Sequence, residues 1–318
     1  MELSHRSPEF EQILRDAENS LRNLLAIPAT YHVLMMQGGA SHLFSLLPMA
    51  YAHLDWSVIV NGSWGEKALE ACRAVRPAEA ITVPDDPSFT RAYTPELVQN
   101  APGEIVHLTT NETIQGVQGG LDLPSKAHLV ADMSSDILTR PVPWESISLA
   151  YAGAQKNLGP AGVTVCIIRE DFLAEARTDL PPAFNFRTLV KNGSLYNTPP
   201  TWSIYVMGEC LKYWQSVGGL PEIIRRNEIK ANQLYRAIDQ SNGFFQGHAH
   251  ADFRRPVNVT YRLPDRETES DFLAKATERG MVGLAGHRAV GGIRASIYNA
   301  FPVEGVDALT KLMSEFTQ

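Results

Sequence analysis

Tyr151-Ala-Gly-Ala-Gln-Lys-Asn-Leu-Gly-Pro-Ala-Gly162 sets one lysine between two glycine-bearing turns. An apolar run, Ile147 to Ala152, leads into it, and another, Val163 to Ile168, follows. Two such runs around a Gly/Pro-rich bend read as buried strands joined at their ends. Lys156 then stands on a rigid loop at the edge of a sheet. Lysine is rarely buried without a partner or a task. In a partly desolvated pocket its pKa falls and the amine becomes a usable nucleophile. A solvated loop lysine is the competing reading, and position alone does not separate the two.

Upstream, strands alternate with helices. Tyr31 to Met36 is a β-type run that ends in Gln37-Gly-Gly-Ala-Ser41, and His42 to Tyr51 then reads as a helix. Strand, Gly-Gly turn and helix make a phosphate-binding geometry, because amides at a helix N-terminus face the anion. The turn lacks the spacing of a Walker A loop or of a dinucleotide fingerprint. Ser57 to Asn61 is the next strand, followed by Gly62-Ser-Trp64 and a helix through Val75. Trp64 is a core side chain by default; at a strand end it can also stack on a flat ring. Short strands at Ile81–Val83 and Glu104–Thr110 come next, then a polar glycine-rich loop, Asn111 to Gly120. Ala127 to Ala131 is an apolar strand that stops at Asp132. A carboxylate at the end of a buried strand marks a site, since ligands of α/β sheets bind at those ends. The alternation predicts a mostly parallel central sheet flanked by helices.

The pattern changes after Arg169. Two long helices, Thr201–Val217 and Pro221–Gln240, meet at Gly218-Gly219. A smaller α+β unit follows: strand Val257–Leu263, helix Ser270–Arg279, a short strand near Met281, strand Ile293–Tyr298 and helix Val303–Phe316. We expect a large domain over residues 1–219 and a small C-terminal α+β domain over 220–318. The N-terminal helix 8–26, capped by Ser7 with Pro8 in its first turn, is a candidate to pack on the small domain. Gly286-His-Arg288 and Gly291-Gly-Ile-Arg294 cluster cations beside flexible glycines, which suits an anion. His5 and Arg6, by pattern alone, read as a frayed terminus.

With 318 residues, 44% hydrophobic and 20% charged, the chain has ordinary globular composition and ample material for a core. A net charge of −7 carries no basic footprint for nucleic acid. No apolar run approaches the roughly 20 residues that span a membrane. Cys72, Cys166 and Cys210 are scattered without metal-ligand spacing, so reduced packing thiols and a cytoplasmic protein are expected, with no metal. The start, Met1 to Arg6, is polar and lacks the apolar core of a signal peptide.

A strand-end lysine, a nearby strand-end aspartate, a Gly-Gly helix start and a strand-end tryptophan together are what pyridoxal 5'-phosphate requires. Lysine forms the Schiff base with the aldehyde, and aspartate keeps the pyridine nitrogen protonated, so that the ring acts as an electron sink.

The sequence resembles the phosphoserine aminotransferases, fold-type I pyridoxal-phosphate enzymes. The matching stretches are Ser4–Phe10, Gln37–Ser41, Gly62–Trp64, Asn111–Gly116, Ala131–Ser135, Tyr151–Asn157, Asn197–Thr201 and Gly286 through Ala300. They span nearly the whole chain in the family's order. The resemblance implies a role for each matching residue. Lys156 would bind the cofactor and shuttle the proton, and Asp132 would pair with the pyridine nitrogen. Thr113 would bond the ring hydroxyl, and Trp64 would stack on the ring. Ala40, Ser41 and Gln155 would hold the phosphate, with Asn197 and Thr198 reaching in from the other subunit of a homodimer. Arg294 would take the substrate's α-carboxylate. His5, Arg6, His287 and Arg288 would take its phosphate or the glutamate side chain.

The implied reaction is reversible: glutamate and 3-phosphohydroxypyruvate give 2-oxoglutarate and O-phosphoserine, for serine biosynthesis. 4-Phosphohydroxythreonine, on the pyridoxine route, is a further implied substrate. Family members begin earlier, with a segment containing Phe-Ser-Ala-Gly-Pro-Ala that packs near the active site. Two alternatives follow: a transaminase for unphosphorylated small amino acids, or an N-terminally truncated, cofactor-binding dimer without turnover.

Overall fold

The computed structural model describes residues 3–124, 128–288 and 290–317. The N-terminal part alternates helix and strand: α1 (Pro8–Leu25), β1 (Tyr31–Gln37), α2 (Ser41–Ala50), β2 (Trp56–Val60), α3 (Ser63–Arg73), β3 (Glu79–Thr82), α4 (Pro95–Gln99) and β4 (Ile105–Thr109). A small hairpin, β5 (Asn111–Glu112) and β6 (Val117–Gln118), precedes β7 (His128–Asp132), β8 (Leu149–Gly153) and β9 (Val163–Arg169). Helices α5 (Glu170–Glu175), α6 (Phe186–Lys191), α7 (Thr201–Ser216) and α8 (Gly219–Asp239) come next. The chain closes with β10 (Gln246–Gly247), β11 (Asn258–Arg262), α9 (Arg266–Glu278), β12 (Ile293–Ser296) and α10 (Val303–Phe316).

Seven strands form the central sheet in the order β1-β9-β8-β7-β4-β2-β3. All neighbours from β8 to β3 are parallel; β9 alone runs against its two neighbours. Every residue of β2, β4 and β8 is buried. Such continuous burial is expected of strands covered on both faces. One face carries Ile59, Val106, Leu108, Ala131 and Val165 against α1 and α7. The other carries Val58, Val130, Leu149 and Cys166 under α2, α3, α5 and α6.

This topology positions the site. β1, β2, β4, β7 and β8 all end at the same edge, so the segments that follow them converge there. Those segments hold the start of α2, the start of α3, Thr113, Asp132 and Lys156.

The C-terminal unit is a three-stranded antiparallel sheet, β10-β11-β12, packed with α9, α10 and the end of α8. α8 belongs to both cores: Ile223 packs with the large sheet, Leu234 and Ile238 with the small one. The proposed boundary at Gly219 thus coincides with the first residue of a bridging helix rather than with a loop. The seam between the units is polar and buried. Asn111 Nδ2 donates to Asn258 Oδ1 (3.0 Å), and the Asn299 amide donates to Asn157 Oδ1 (3.1 Å). Lys230, on α8 and wholly buried, donates to the carbonyls of Ile297 (2.9 Å) and Tyr298 (2.6 Å).

Several local expectations change. Helix α1 packs mainly on α7 and the large sheet's core, where Phe10, Leu14, Ala17, Leu21 and Leu24 form a stripe that fits that face, and it also touches α8, whose Leu220 and Ile223 join the same core. Ser7 does cap it, its side chain accepting the Phe10 amide at 3.3 Å. No strand forms at Met281; that segment makes only an isolated bridge, Ala285 with Ile293. Residues 111–118 form the β5–β6 hairpin rather than a plain loop. Helix α6 and strand β10 lie in segments read as irregular. Ala127, read as the start of a strand, lies outside the described residues. No helix among the described residues is long and apolar enough to cross a membrane.

Candidate active site

Lys156 projects from the turn after β8 into a cavity at the carboxyl edge of the sheet. Gly39, Ala40, Ser41, Phe44, Trp64, Thr109, Asn111, Thr113, Asp132, Ser134, Ser135, Gln155 and Lys156 line that cavity. Seven residues singled out in the sequence therefore share one wall: Ala40, Ser41, Trp64, Thr113, Asp132, Gln155 and Lys156.

The lysine amine donates to Thr113 Oγ1 at 2.7 Å and lies 5.5 Å from the centre of the Trp64 ring. Burial holds its pKa below the usual lysine range; the Asp132 and Glu112 carboxyl groups pull it back up, and Arg294 adds to the lowering. A less basic amine is a better nucleophile and proton carrier near neutral pH. Asp132 is buried, and burial raises its pKa against the opposing effect of Ser134 and Lys156. Its Oδ1 accepts both the Ser134 amide (2.9 Å) and the Ser134 hydroxyl (2.6 Å). Those two hydrogen bonds to one oxygen orient the carboxylate.

Helix α2 begins at Ser41 with no side-chain cap; the His42 and Leu43 amides bond the carbonyls of Gly39 and Ala40, while Ala40 and Ser41 themselves line the cavity. A helix start and its dipole suit a phosphate. Two groups in the site have no hydrogen-bond partner among the described residues: the buried Trp64 Nε1 and Thr109 Oγ1. Unpaired buried polar atoms are costly and await a partner. Below the site, His107 Nε2 and the Tyr151 hydroxyl lie 2.7 Å apart on neighbouring buried positions, with Phe44 edge-on to both rings. Burial pushes His107 down to about 4, so it stays neutral.

Cations gather on the side of the C-terminal unit. His287 is held below the usual imidazole range by burial and by Arg294, Lys67 and Arg288 around it. Lys67 is a residue that sequence reading missed. It sits one helical turn after Trp64, with Nζ 4.5 Å from the centre of that ring, and the i,i+3 spacing on α3 was the available signal. Glu112 and Thr109 were missed too; both stand next to a recognised position and carry no signal of their own.

Seven expected residues do not line this cavity: His287, Arg288 and Arg294 on the C-terminal unit, and Asn197, Thr198, His5 and Arg6. Asn197 lines a second, larger and mostly apolar cavity of about 710 Å³ that shares only Ser41 with the first. Thr198 Oγ1 lies 3.3 Å from His5 Nδ1. Arg6 is exposed. The larger cavity holds no lysine and no carboxyl group among its lining residues, so the smaller one is the chemically equipped site.

Comparison with known proteins agrees. The class-V aminotransferase pattern matches residues 1–309. The phosphoserine aminotransferase of Lysinibacillus sphaericus is 46% identical, across 100% of this chain and 89% of its own. That of Herpetosiphon aurantiacus is 44% identical over 99% of this chain and 89% of its own. The chain belongs to the phosphoserine aminotransferase family. Among solved structures, the phosphoserine aminotransferase of Bacillus circulans subsp. alkalophilus superimposes with a TM-score of 0.95 at 42% identity, covering 100% of this chain and 89% of that one. A pyridoxal-phosphate-bound relative from Trichomonas vaginalis gives 0.91 at 33%, covering 98% and 90%. The fold is thus the mixed α/β fold of these aminotransferases, and the protein is a pyridoxal-phosphate-dependent transaminase. The residues present fit the cofactor: a poised lysine, an oriented carboxylate, a helix start and a tryptophan face stand around one cavity.

Proposed function

We propose that this chain is a phosphoserine aminotransferase of serine biosynthesis. It moves an amino group reversibly between glutamate and 3-phosphohydroxypyruvate, yielding 2-oxoglutarate and O-phosphoserine. The observation that carries the reading is the meeting of Lys156, Asp132, Thr113 and Trp64 in one cavity of a chain whose full-length relatives share that activity.

Pyridoxal phosphate, when bound, supplies the aldehyde for amino transfer and an electron sink for charge at the substrate's Cα. The chain's residues do the rest. Asp132, oriented by Ser134, keeps a proton on the cofactor's ring nitrogen. Thr113 bonds the ring hydroxyl, and Trp64 stacks on the ring. Ala40, Ser41 and Gln155 hold the phosphate. Lys156, with its lowered pKa, takes the proton from Cα and returns it. Arg294 takes the α-carboxylate, and His287 and Arg288 take the distal anion. A phosphate with its extra oxygens suits several donors better than one.

Asn197, Thr198, His5 and Arg6 serve the site of a second copy, so the working unit is a homodimer. One finding fits this: Thr198 and His5, far apart in the sequence, lie together, with Thr198 Oγ1 3.3 Å from His5 Nδ1. The same cationic group suits 4-phosphohydroxythreonine. The three cysteines, none of them paired, fit a cytoplasmic setting.

The test is a visible absorption spectrum of the protein with pyridoxal phosphate, taken before and after glutamate and then 3-phosphohydroxypyruvate. Reversible spectral change is expected, with O-phosphoserine far better than serine as amino donor. No binding of the cofactor, or equal rates with serine, overturns the reading.

A further inference from the structure

Glu112 has no task in the reaction as read so far. It ends β5, in the hairpin that also presents Thr113, and is wholly buried. Its Oε2 accepts the amide of Trp64 at 2.9 Å and its Oε1 the amide of Gly65 at 2.7 Å. These are first-turn amides of α3, which lack an acceptor within their own helix. The helix's own cap residue, Gly62, has no side chain to offer. The cap therefore comes from a different strand end, 48 positions from Trp64.

The surroundings are shaped for this carboxyl group. A Cβ at Gly62 would stand 2.4 Å from Glu112 Cδ and Cγ. A Cβ at Gly65 would stand 2.7 Å from the Ile59 carbonyl and 3.4 Å from Glu112 Oε1. The Trp64 side chain makes no hydrogen bond among the described residues, its Nε1 being unpartnered, and its polar contacts are the Lys67 and Lys156 amines over the ring. Burial pushes the Glu112 carboxyl up to about 7 against the two amides that bond it; among the charges facing it, Asp132 adds to the rise and Lys156 opposes it.

We propose that Glu112 is a positioning residue for the cofactor site. It locks the first turn of α3 and so sets the plane of the Trp64 indole before the pyridoxal ring arrives. The site then meets the ring with its stacking face already in place, and less ordering is needed on binding. The proposal rests on the pyridoxal-phosphate reading above. An ordinary helix cap would also bond these amides, but it would act on stability alone. What separates the two is whether Glu112 works through Trp64.

A double-mutant cycle on cofactor binding decides this. Pyridoxal phosphate is titrated into the apoproteins of wild type, Glu112→Gln, Trp64→Ala and the double variant. Visible absorbance reports Kd, and thermal unfolding checks the fold. Glutamine keeps the size of the side chain but turns an NH2 group toward one of the two amide donors. Glu112→Gln is expected to weaken binding about tenfold in the wild-type background, and to change it less than about twofold when Trp64 is already gone. The same loss in both backgrounds, or no loss in either, overturns the proposal. Gly62→Ala, which drives a methyl into the carboxyl group's place, is the independent lesion if Glu112→Gln does not fold. It is expected to show the same dependence on Trp64, and an unchanged Kd overturns the proposal equally. A wild-type protein that binds no pyridoxal phosphate refutes the cofactor reading itself, a result distinct from an additive cycle.

Discussion

Lys156 Nζ donates a 2.7 Å hydrogen bond to Thr113 Oγ1. The bond joins the turn after β8 to the hairpin after β4, and it fixes where the amine rests before any ligand enters. Both partners are otherwise enclosed, since Thr113 is buried and Lys156 half-buried. Burial disfavours the charged amine, and the Asp132 and Glu112 carboxyl groups favour it; a hydroxyl acceptor within hydrogen-bond distance also favours a charged donor in general.

Thr113→Val removes that acceptor and keeps the shape. Burial then acts unopposed by it, so the pKa of Lys156 moves further down. The pH dependence of amine modification in the apoprotein should shift to lower pH. Pyridoxal phosphate should bind about tenfold more weakly, for loss of a hydrogen bond to its ring hydroxyl as well.

Asp132→Asn tests the carboxylate. Ser134 donates twice to Oδ1, so asparagine preserves those bonds only by placing its NH2 at the other oxygen's position. A donor there cannot hold a proton on a ring nitrogen. The transamination rate should fall by about tenfold to a hundredfold, the worth of one charged hydrogen bond, with the fold intact by circular dichroism.

His107 gives the fold an acid-sensitive element. Its pKa is depressed from 6.5 to about 4, because burial excludes charge and Nδ1 has no partner among the described residues to receive a second proton. The unfolded chain binds that proton first. Stability is therefore fully present above about pH 6.5 and is lost as pH falls toward 4, by about 3 kcal/mol in all. His107→Phe should flatten this limb of a stability–pH curve from urea unfolding. At pH 7 it should cost about 1–3 kcal/mol, since the Tyr151 hydroxyl loses its partner.

Lys230→Ala should be among the most destabilising single changes. It opens a cavity and strands the carbonyls of Ile297 and Tyr298, for a cost of about 4 kcal/mol. Lys230→Met fills the volume and loses only the donors, so about half that cost is expected. Equal denaturation midpoints for the two variants would show that the carbonyl cap, not packing, is what Lys230 contributes.

Much of the site was legible because local chemistry announces it. Asp132 ends an apolar run, Lys156 lies between two strand patterns, and Gly38-Gly39 punctuates the start of α2. Each is a short-range signal, and the rule that parallel strands present ligands at their carboxyl ends joins them. Residues without such a signal stayed hidden. Glu112 lies in a polar stretch where one carboxylate resembles any other, and only its approach to the Trp64 and Gly65 amides gives it meaning. The partners of α1 stayed open for a related reason. Its apolar stripe, from Phe10 to Leu25, shows that one face is buried but not against which partner.

The amino-acid sequence by itself determined the alternation of elements, the strand-end lysine and aspartate, and the family. These are encoded in hydrophobic periodicity, in glycine turns and in motifs a few residues long. Only the tertiary structure decided which surface α1 covers, that α8 serves two cores, and that Asn157 beside Lys156 is bonded to Asn299 across a buried seam. Those facts depend on contacts between residues far apart in the chain, where shape complementarity and the pairing of buried polar groups select one arrangement, and no local pattern carries that information.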